Sequence, residues 1–166
     1  MPDDQQPIRD QLIALLDGRQ AHATFDDAVA DLPPDARGRR ASAGGGEVDH
    51  TAWRLVEHLR LAQHDILEYV RNPDWRSPPW PEGFWPDGDA PPSDEAWDRS
   101  LAAFRADLTA LRDLVADASN DLLASMPHAE DPSHTLMRQA MLTADHNAYH
   151  IGQLVYLRRA LGVWPG

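Results

Sequence analysis

Apolar residues return every three or four positions in four stretches of the chain, and between those stretches the rhythm stops. Such spacing lays the apolar side chains along one side of an α-helix. The first stretch covers about residues 7–32, where Ile8, Leu12, Leu15, Leu16, Val29 and Leu32 form the stripe and Pro33-Pro34 ends it. The second covers about residues 51–71, with Trp53, Leu55, Val56, Leu59, Ala62, Ile66, Tyr69 and Val70 in step. The third covers about residues 93–120. Ser93 suits its N-cap, Asp94 and Glu95 put negative charge in its first turn, and Trp97, Leu101, Phe104, Leu108, Leu111 and Val115 mark its apolar side. The fourth covers about residues 133–161. It carries Leu136, Met141, Tyr149, Leu154, Leu157 and Leu161, with Arg158-Arg159 in its last turn and Gly162 beyond. No segment shows the period-two alternation of a half-buried strand, and no internal repeat is present. Four such stripes must face one another, so the pattern predicts an all-α protein: one domain over residues 1–166, an up-down four-helix bundle.

The connections differ in kind. Residues 33–50 contain Gly44-Gly45-Gly46 without the Lys and Ser/Thr that follow the glycines of a phosphate loop, and read as a flexible linker. Residues 72–92 are rich in proline but also hold Trp75, Trp80, Phe84 and Trp85. That is too apolar for a free linker. The expectation is an ordered loop pinned to the bundle by its rings, with Trp80 and Trp85 buried, which either lines a pocket or covers one bundle end.

Charge and composition narrow the partners. The chain carries 27 acidic against 15 basic residues, a net charge of −12, which repels a phosphate backbone and argues against nucleic acid. All the basic residues are arginine. There is no cysteine, so disulfides, thiolate metal ligands and an internal thiol nucleophile are excluded. The first residues lack a basic segment followed by an apolar one, and no run approaches the ~18 apolar residues of a membrane span. The expectation is a cytoplasmic protein with no membrane partner.

Candidate chemistry rests on histidine. His146 and His150 are four apart, which puts both rings on one side of a helix, near the inward face beside Leu154 and Leu157. Two neutral imidazoles so placed can grip a divalent metal, although among eight histidines such a pair also arises by chance. The segment His146-Asn147-Ala148-Tyr149-His150 lacks the Glu of a zinc-protease helix, so no general base is built in. A third ligand must come from another helix, and His58, between Leu55 and Leu59, is the best placed; taken alone it also reads as a satisfied core histidine. His64 lies about 120° further round the same helix and does not share a site with His58. His22, His50, His128 and His134 fall in polar or terminal contexts and read as surface or structural residues. Asp145, Asn147, Glu57 and Tyr149 neighbour the ligands in sequence, but an adjacent helical residue points about 100° away, so interface or surface positions suit them better. Gly152, inside the fourth helix, either lets a backbone or ligand approach or is merely tolerated.

The stretches TAWRLVEHLRLAQHDIL, containing His58, and DHNAYHIGQLVYLRRALG, at 145–162, resemble the second and fourth helices of the DinB-like superfamily. The likeness extends over all four helices in order, and the WPEGFWP loop resembles that of one branch. The resemblance implies a metal-binding four-helix bundle whose ion sits on one histidine of the second helix and two of the fourth, here His58, His146 and His150. It implies nickel, zinc or a similar divalent ion, and a homodimer. Members with known activity include transferases and an isomerase that use low-molecular-weight thiols, so the expected partner is a small thiol or electrophile, with activation of water the hydrolytic variant. The other reading is a non-catalytic metal- or ligand-binding module, or a dimeric interaction protein. Imidazoles ligate only when neutral, so metal binding by these three should weaken as the pH falls below about 6.

Overall fold

Gly18 decides the shape of the N-terminal region. Its backbone is left-handed (φ 71°) and its N–H closes the preceding turn on the Leu15 carbonyl, so α1 (Gln6–Asp17) ends there. Thr24 then starts a separate short helix, α2 (Phe25–Val29), with a reciprocal cap: its hydroxyl accepts from the Asp27 N–H while the Asp27 carboxylate accepts from the Thr24 N–H. The helix expected over about 7–32 is therefore two helices. The stripe misled because Leu12 and Leu16 before Gly18, and Val29 and Leu32 after it, are all buried although the axis changes between the two pairs.

The computed structural model describes residues 4–43, 46–47, 50–129 and 131–165. The remaining helices fall near their predicted ranges, α3 (Ala52–Arg71), α4 (Asp94–Ala116) and α5 (Leu136–Ala160), but Met141 and Tyr149, counted in the stripe of the last, lie on its exposed side. Each opens on a side-chain cap, from Thr51, Ser93 and Thr135 to the N–H three residues on. Among the described residues the regular structure is thus helical, apart from a two-residue antiparallel ladder pairing β1 (Ser42–Ala43) with β2 (Gly46–Glu47) and an isolated bridge between Ser125 and Thr135. Helix α3 packs against α4 and α5, and α1 packs against the same two.

Segment 33–43, expected as flexible linker, is instead packed. Ala36 and Ala41 are buried, the Arg37 carbonyl accepts from the Trp53 N–H, and Gly38 lies so close to Ala90 that an added Cβ would come within 2.5 Å of it. The Thr51 hydroxyl donates to the Asp89 carbonyl, and Arg40 and Arg37 pair with Asp89 and Asp94. Gly44 and Gly45 lie outside the described residues.

The core has two apolar parts. One is built from Phe25, Val29, Trp53, Leu55, Val56, Leu59, Trp97, Phe104, Ile151, Leu154 and Leu157. The other is built from Leu12, Leu16, Leu67, Leu111, Val115, Leu122, Leu136 and Ala140. Between them along α3 and α5 lie two buried amides, Gln63 and Asn147. The Gln63 Nε2 donates to the Phe104 carbonyl (2.7 Å), and the Asn147 Nδ2 donates to Gln63 Oε1 (2.9 Å). Two arginines are also buried. Arg9 donates to the carbonyls of Val115, in the last turn of α4, and of Asn120 in the connection beyond it, and Arg158 donates to those of Ala28 and Val163. Cations suit such sites because helix carbonyls are left over at a C-terminus.

No helix among the described residues is long and apolar enough to cross a membrane.

Candidate metal centre

His58 sits on the inward side of α3, one residue before Leu59, and is 2 % exposed. Residues 146 and 150 of α5 face it across the interface between the two helices. His58 Nε2 lies 3.2 Å from His150 Nε2 and 3.1 Å from His146 Nε2. The ligating atoms of all three lie within 4.8 Å of one another. Three nitrogens about 2.1 Å from one ion would stand about 3.0–3.4 Å apart, for octahedral and tetrahedral angles respectively. The two spacings from His58, 3.1 and 3.2 Å, fall in that range.

The loop between α3 and α4 completes the surroundings. A single 3₁₀ turn, Glu82–Phe84, presents the Phe84 carbonyl to His58 Nδ1 at 2.8 Å. The next ring, Trp85, lies flat on His58, with centroids 3.9 Å apart and planes 1° from parallel. His50 stacks on Trp85 at 4.3 Å. On α5, His150 Nδ1 meets Gln153 Oε1 at 2.7 Å, one turn further along the helix. The loop thus lines the site, which was one of the two placements the sequence left open. Trp80, expected to be buried, is 70 % exposed. Its ring is near Phe84 and His58, but prolines on both sides carry it along the outer edge of the loop, and Trp85 takes the inner position.

A carbonyl oxygen only accepts, so His58 must donate from Nδ1 and keep a bare lone pair on Nε2. One lone pair cannot take a proton from both His146 and His150, yet both nitrogens point at it. A cation at the shared point would satisfy all three at once. Electrostatics favour the same state. Burial pushes His58 from 6.5 down to about 4; the Phe84 carbonyl pulls the other way, and His150 and His50 push it further down. Burial, then His150 and His58, pushes His146 to about 4, and burial also lowers His150. All three imidazoles are neutral near pH 7, the form that ligates.

The other residues singled out in the sequence separate clearly. His64 points away, to the Asp107 carboxylate at 3.0 Å. His22 meets the Ala23 carbonyl, and His128 and His134 line a cavity of about 550 Å³ with Tyr69 and Trp75. Glu57 is tied to Arg60 and to the Ser100 hydroxyl, whose hydrogen bonds outweigh burial and hold its carboxyl below the usual range. Asp145 and Tyr149 are exposed, although the Tyr149 ring stands edge-on to His150 at 4.9 Å. Among the described residues nothing beyond its own helix backbone and chain neighbours comes within 4 Å of where a Cβ on Gly152 would stand.

Asn147 contradicts the surface or interface reading. One turn from Thr143 and from Ile151, both buried, it shares their inward side and is 7 % exposed. His50 was also set aside and lies beside the site. Its place depends on the partner ring of Trp85, far away in sequence, and no local pattern announces it.

The family model of the DinB superfamily matches residues 17–154. No curated protein and no solved structure matches the chain. The match spans α2 to α5 with all three histidines, and the chain belongs to the DinB superfamily.

Proposed function

We propose that this protein binds one divalent metal through His58, His146 and His150 and uses it to activate a small molecule supplied from solution. The carrying observation is the lone pair of His58 Nε2, which faces two further ring nitrogens at 3.1 and 3.2 Å while Nδ1 is committed to a carbonyl. Three neutral nitrogens suit nickel, zinc or a similar ion and leave part of its coordination sphere free. A metal so held lowers the pKa of a bound thiol or water, making it a nucleophile near neutral pH. With no cysteine in the chain, the thiol is external and of low molecular weight. The chain's own part is to hold three rings in one orientation and keep them unprotonated. The four long helices read as an up-down bundle, each of α1 and α3 lying between α4 and α5.

The test is metal content after purification without added chelator, followed by a thiol-transfer screen with metal present and removed. Stoichiometric metal in wild type, lost in the triple alanine variant, supports the site. A triple variant that binds as well as wild type refutes it. Metal binding without metal-dependent turnover of any thiol or hydrolysable substrate favours the non-catalytic reading.

The outer side of α5 favours an assembly with a second copy. Met141, Tyr149 and Tyr156 are exposed there in one line with Gly152, which leaves room for a close neighbour. Asp145 and Arg159 are also exposed, each seven residues from Gly152. Two copies of α5 crossing antiparallel at Gly152 would bring Asp145 of each against Arg159 of the other, a self-complementary contact of the kind a two-fold axis requires. Light scattering at ~100 µM should give a dimer mass, reduced by Tyr156→Glu; a monomer at that concentration removes the assembly.

A further inference from the structure

Counting hydrogen-bond partners around the three histidines leaves one gap. Each ring must hold its hydrogen on Nδ1 if Nε2 is to ligate, and each Nδ1–H then needs an acceptor. His58 has the Phe84 carbonyl and His150 has Gln153 Oε1. Among the described residues His146 Nδ1 is buried without a partner within hydrogen-bonding geometry, and so is the Oδ1 of the next residue, Asn147. A lone buried donor and a lone buried acceptor therefore sit on adjacent residues, each costly to leave unmet.

The polarity of Asn147 is fixed from outside the site. The Phe104 carbonyl can only accept, so Gln63 must turn its Nε2 toward it. That leaves Gln63 Oε1 to accept from Asn147 Nδ2, and leaves Asn147 with an oxygen, not an N–H, to offer. An amide flip anywhere along this line would break the bond to Phe104. We propose that Asn147 is the positioning residue of His146: its Oδ1 accepts from His146 Nδ1–H, which fixes the tautomer with Nε2 bare and aims it at the point shared with His58 and His150. A carbonyl on α4 thereby sets, through two side-chain amides from α3 and α5, the proton position on a ring of the site. The reading of Asn147 as a surface or interface neighbour is replaced by this one, and the inference rests on the assignment of His146 as a metal ligand.

The test separates the two ideas because the tautomer can be read without metal. In metal-stripped wild type, long-range ¹H–¹⁵N spectra of histidine side chains at neutral pH should show His146 protonated on Nδ1 alone. Asn147→Leu should give a mixed or reversed tautomer and a loss of Co²⁺ and Zn²⁺ affinity of about 10–100-fold, with an altered Co²⁺ absorption spectrum. Asn147→Asp, which keeps an acceptor, should retain the Nδ1–H form. If Asn147→Leu fails to fold, Gln63→Leu serves, since it frees the Asn147 amide to rotate and should also yield a tautomer mixture. An unchanged tautomer in Asn147→Leu, or in Gln63→Leu where the first is unfolded, overturns the proposal while leaving the metal site standing. A tautomer that depends on Asn147 in a protein that binds no metal upholds the hydrogen bond and removes the metal assignment.

Discussion

Trp85 gives the sharpest way to test how the loop governs the site. Its ring covers one face of His58 at 3.9 Å, and burial is the main reason that this imidazole titrates at about 4 instead of 6.5. Trp85→Ala removes the cover. The lost ring contact accounts for about 0.5–1.5 kcal/mol, or roughly 2–10-fold in metal affinity, at any pH. Proton competition adds to this only in acid. Near pH 5 a group with a pKa of about 4 is about 90 % neutral, whereas one returned fully to 6.5 is about 3 % neutral, so the further loss reaches at most roughly 30-fold. Near pH 7.5 the same change leaves about 90 % of the ring neutral and costs almost nothing. Affinity for Zn²⁺ should therefore be measured by competition with a chromophoric chelator at both pH values. Wild type should hold its metal well below pH 6, where ordinary imidazoles release it, and the variant should lose it from about pH 6.5 downward. Superimposable pH profiles for the two proteins would refute the role given to Trp85, and release of metal by wild type near pH 6.5 would refute the burial argument as a whole.

Single changes His58→Ala, His146→Ala and His150→Ala should each abolish most metal binding, while His64→Ala, whose ring pairs with Asp107, should bind within about twofold of wild type by calorimetry. The metal-free protein should lose stability as pH falls. His58 and His146 bind protons at 6.5 when unfolded but only at about 4 when folded, so the unfolded state holds more protons between those values, and the denaturant midpoint should drop from pH 6.5 toward 4. Arg158→Met leaves the Ala28 and Val163 carbonyls without the donor they share in the core, and should cost about 2–4 kcal/mol in urea unfolding at neutral pH. An unchanged midpoint there would show that water replaces the guanidinium.

Where a residue's role depends on its own helix, the sequence was sufficient to find it. The stripes of α3, α4 and α5 put His58, His146 and His150 near the inward sides of their helices, and the family motif selects those three from eight histidines; of the helix caps only Ser93 was legible, while Thr51 and Thr135 were not. Hydrophobic spacing does not register a change of axis between two buried segments, so Gly18 passed unnoticed as a helix end. Nor does it rank rings within a loop: Trp80 and Trp85 look alike in sequence, and only the turn at Glu82–Phe84 decides which reaches His58. Asn147 and His50 were missed because their partners, Gln63 and Trp85, lie on other elements.

The amide pair in the core has a consequence for how the helices find their alignment. Leucine-rich stripes slide over one another at little cost, and a shift of one turn, about 5.4 Å, would still bury most of the apolar side chains of α3 and α5. The amides do not tolerate such a shift. Moving α5 by a turn would strand Asn147 and Gln63 in an apolar layer, at about 1–3 kcal/mol for each polar group left bare. These two residues therefore act as a register pin, giving up some stability relative to a leucine pair in exchange for one allowed alignment. The same alignment is the one that brings His146 and His150 level with His58. A Gln63→Leu, Asn147→Leu double variant could melt higher than wild type and still hold metal poorly, its three rings no longer meeting at one depth in the fold.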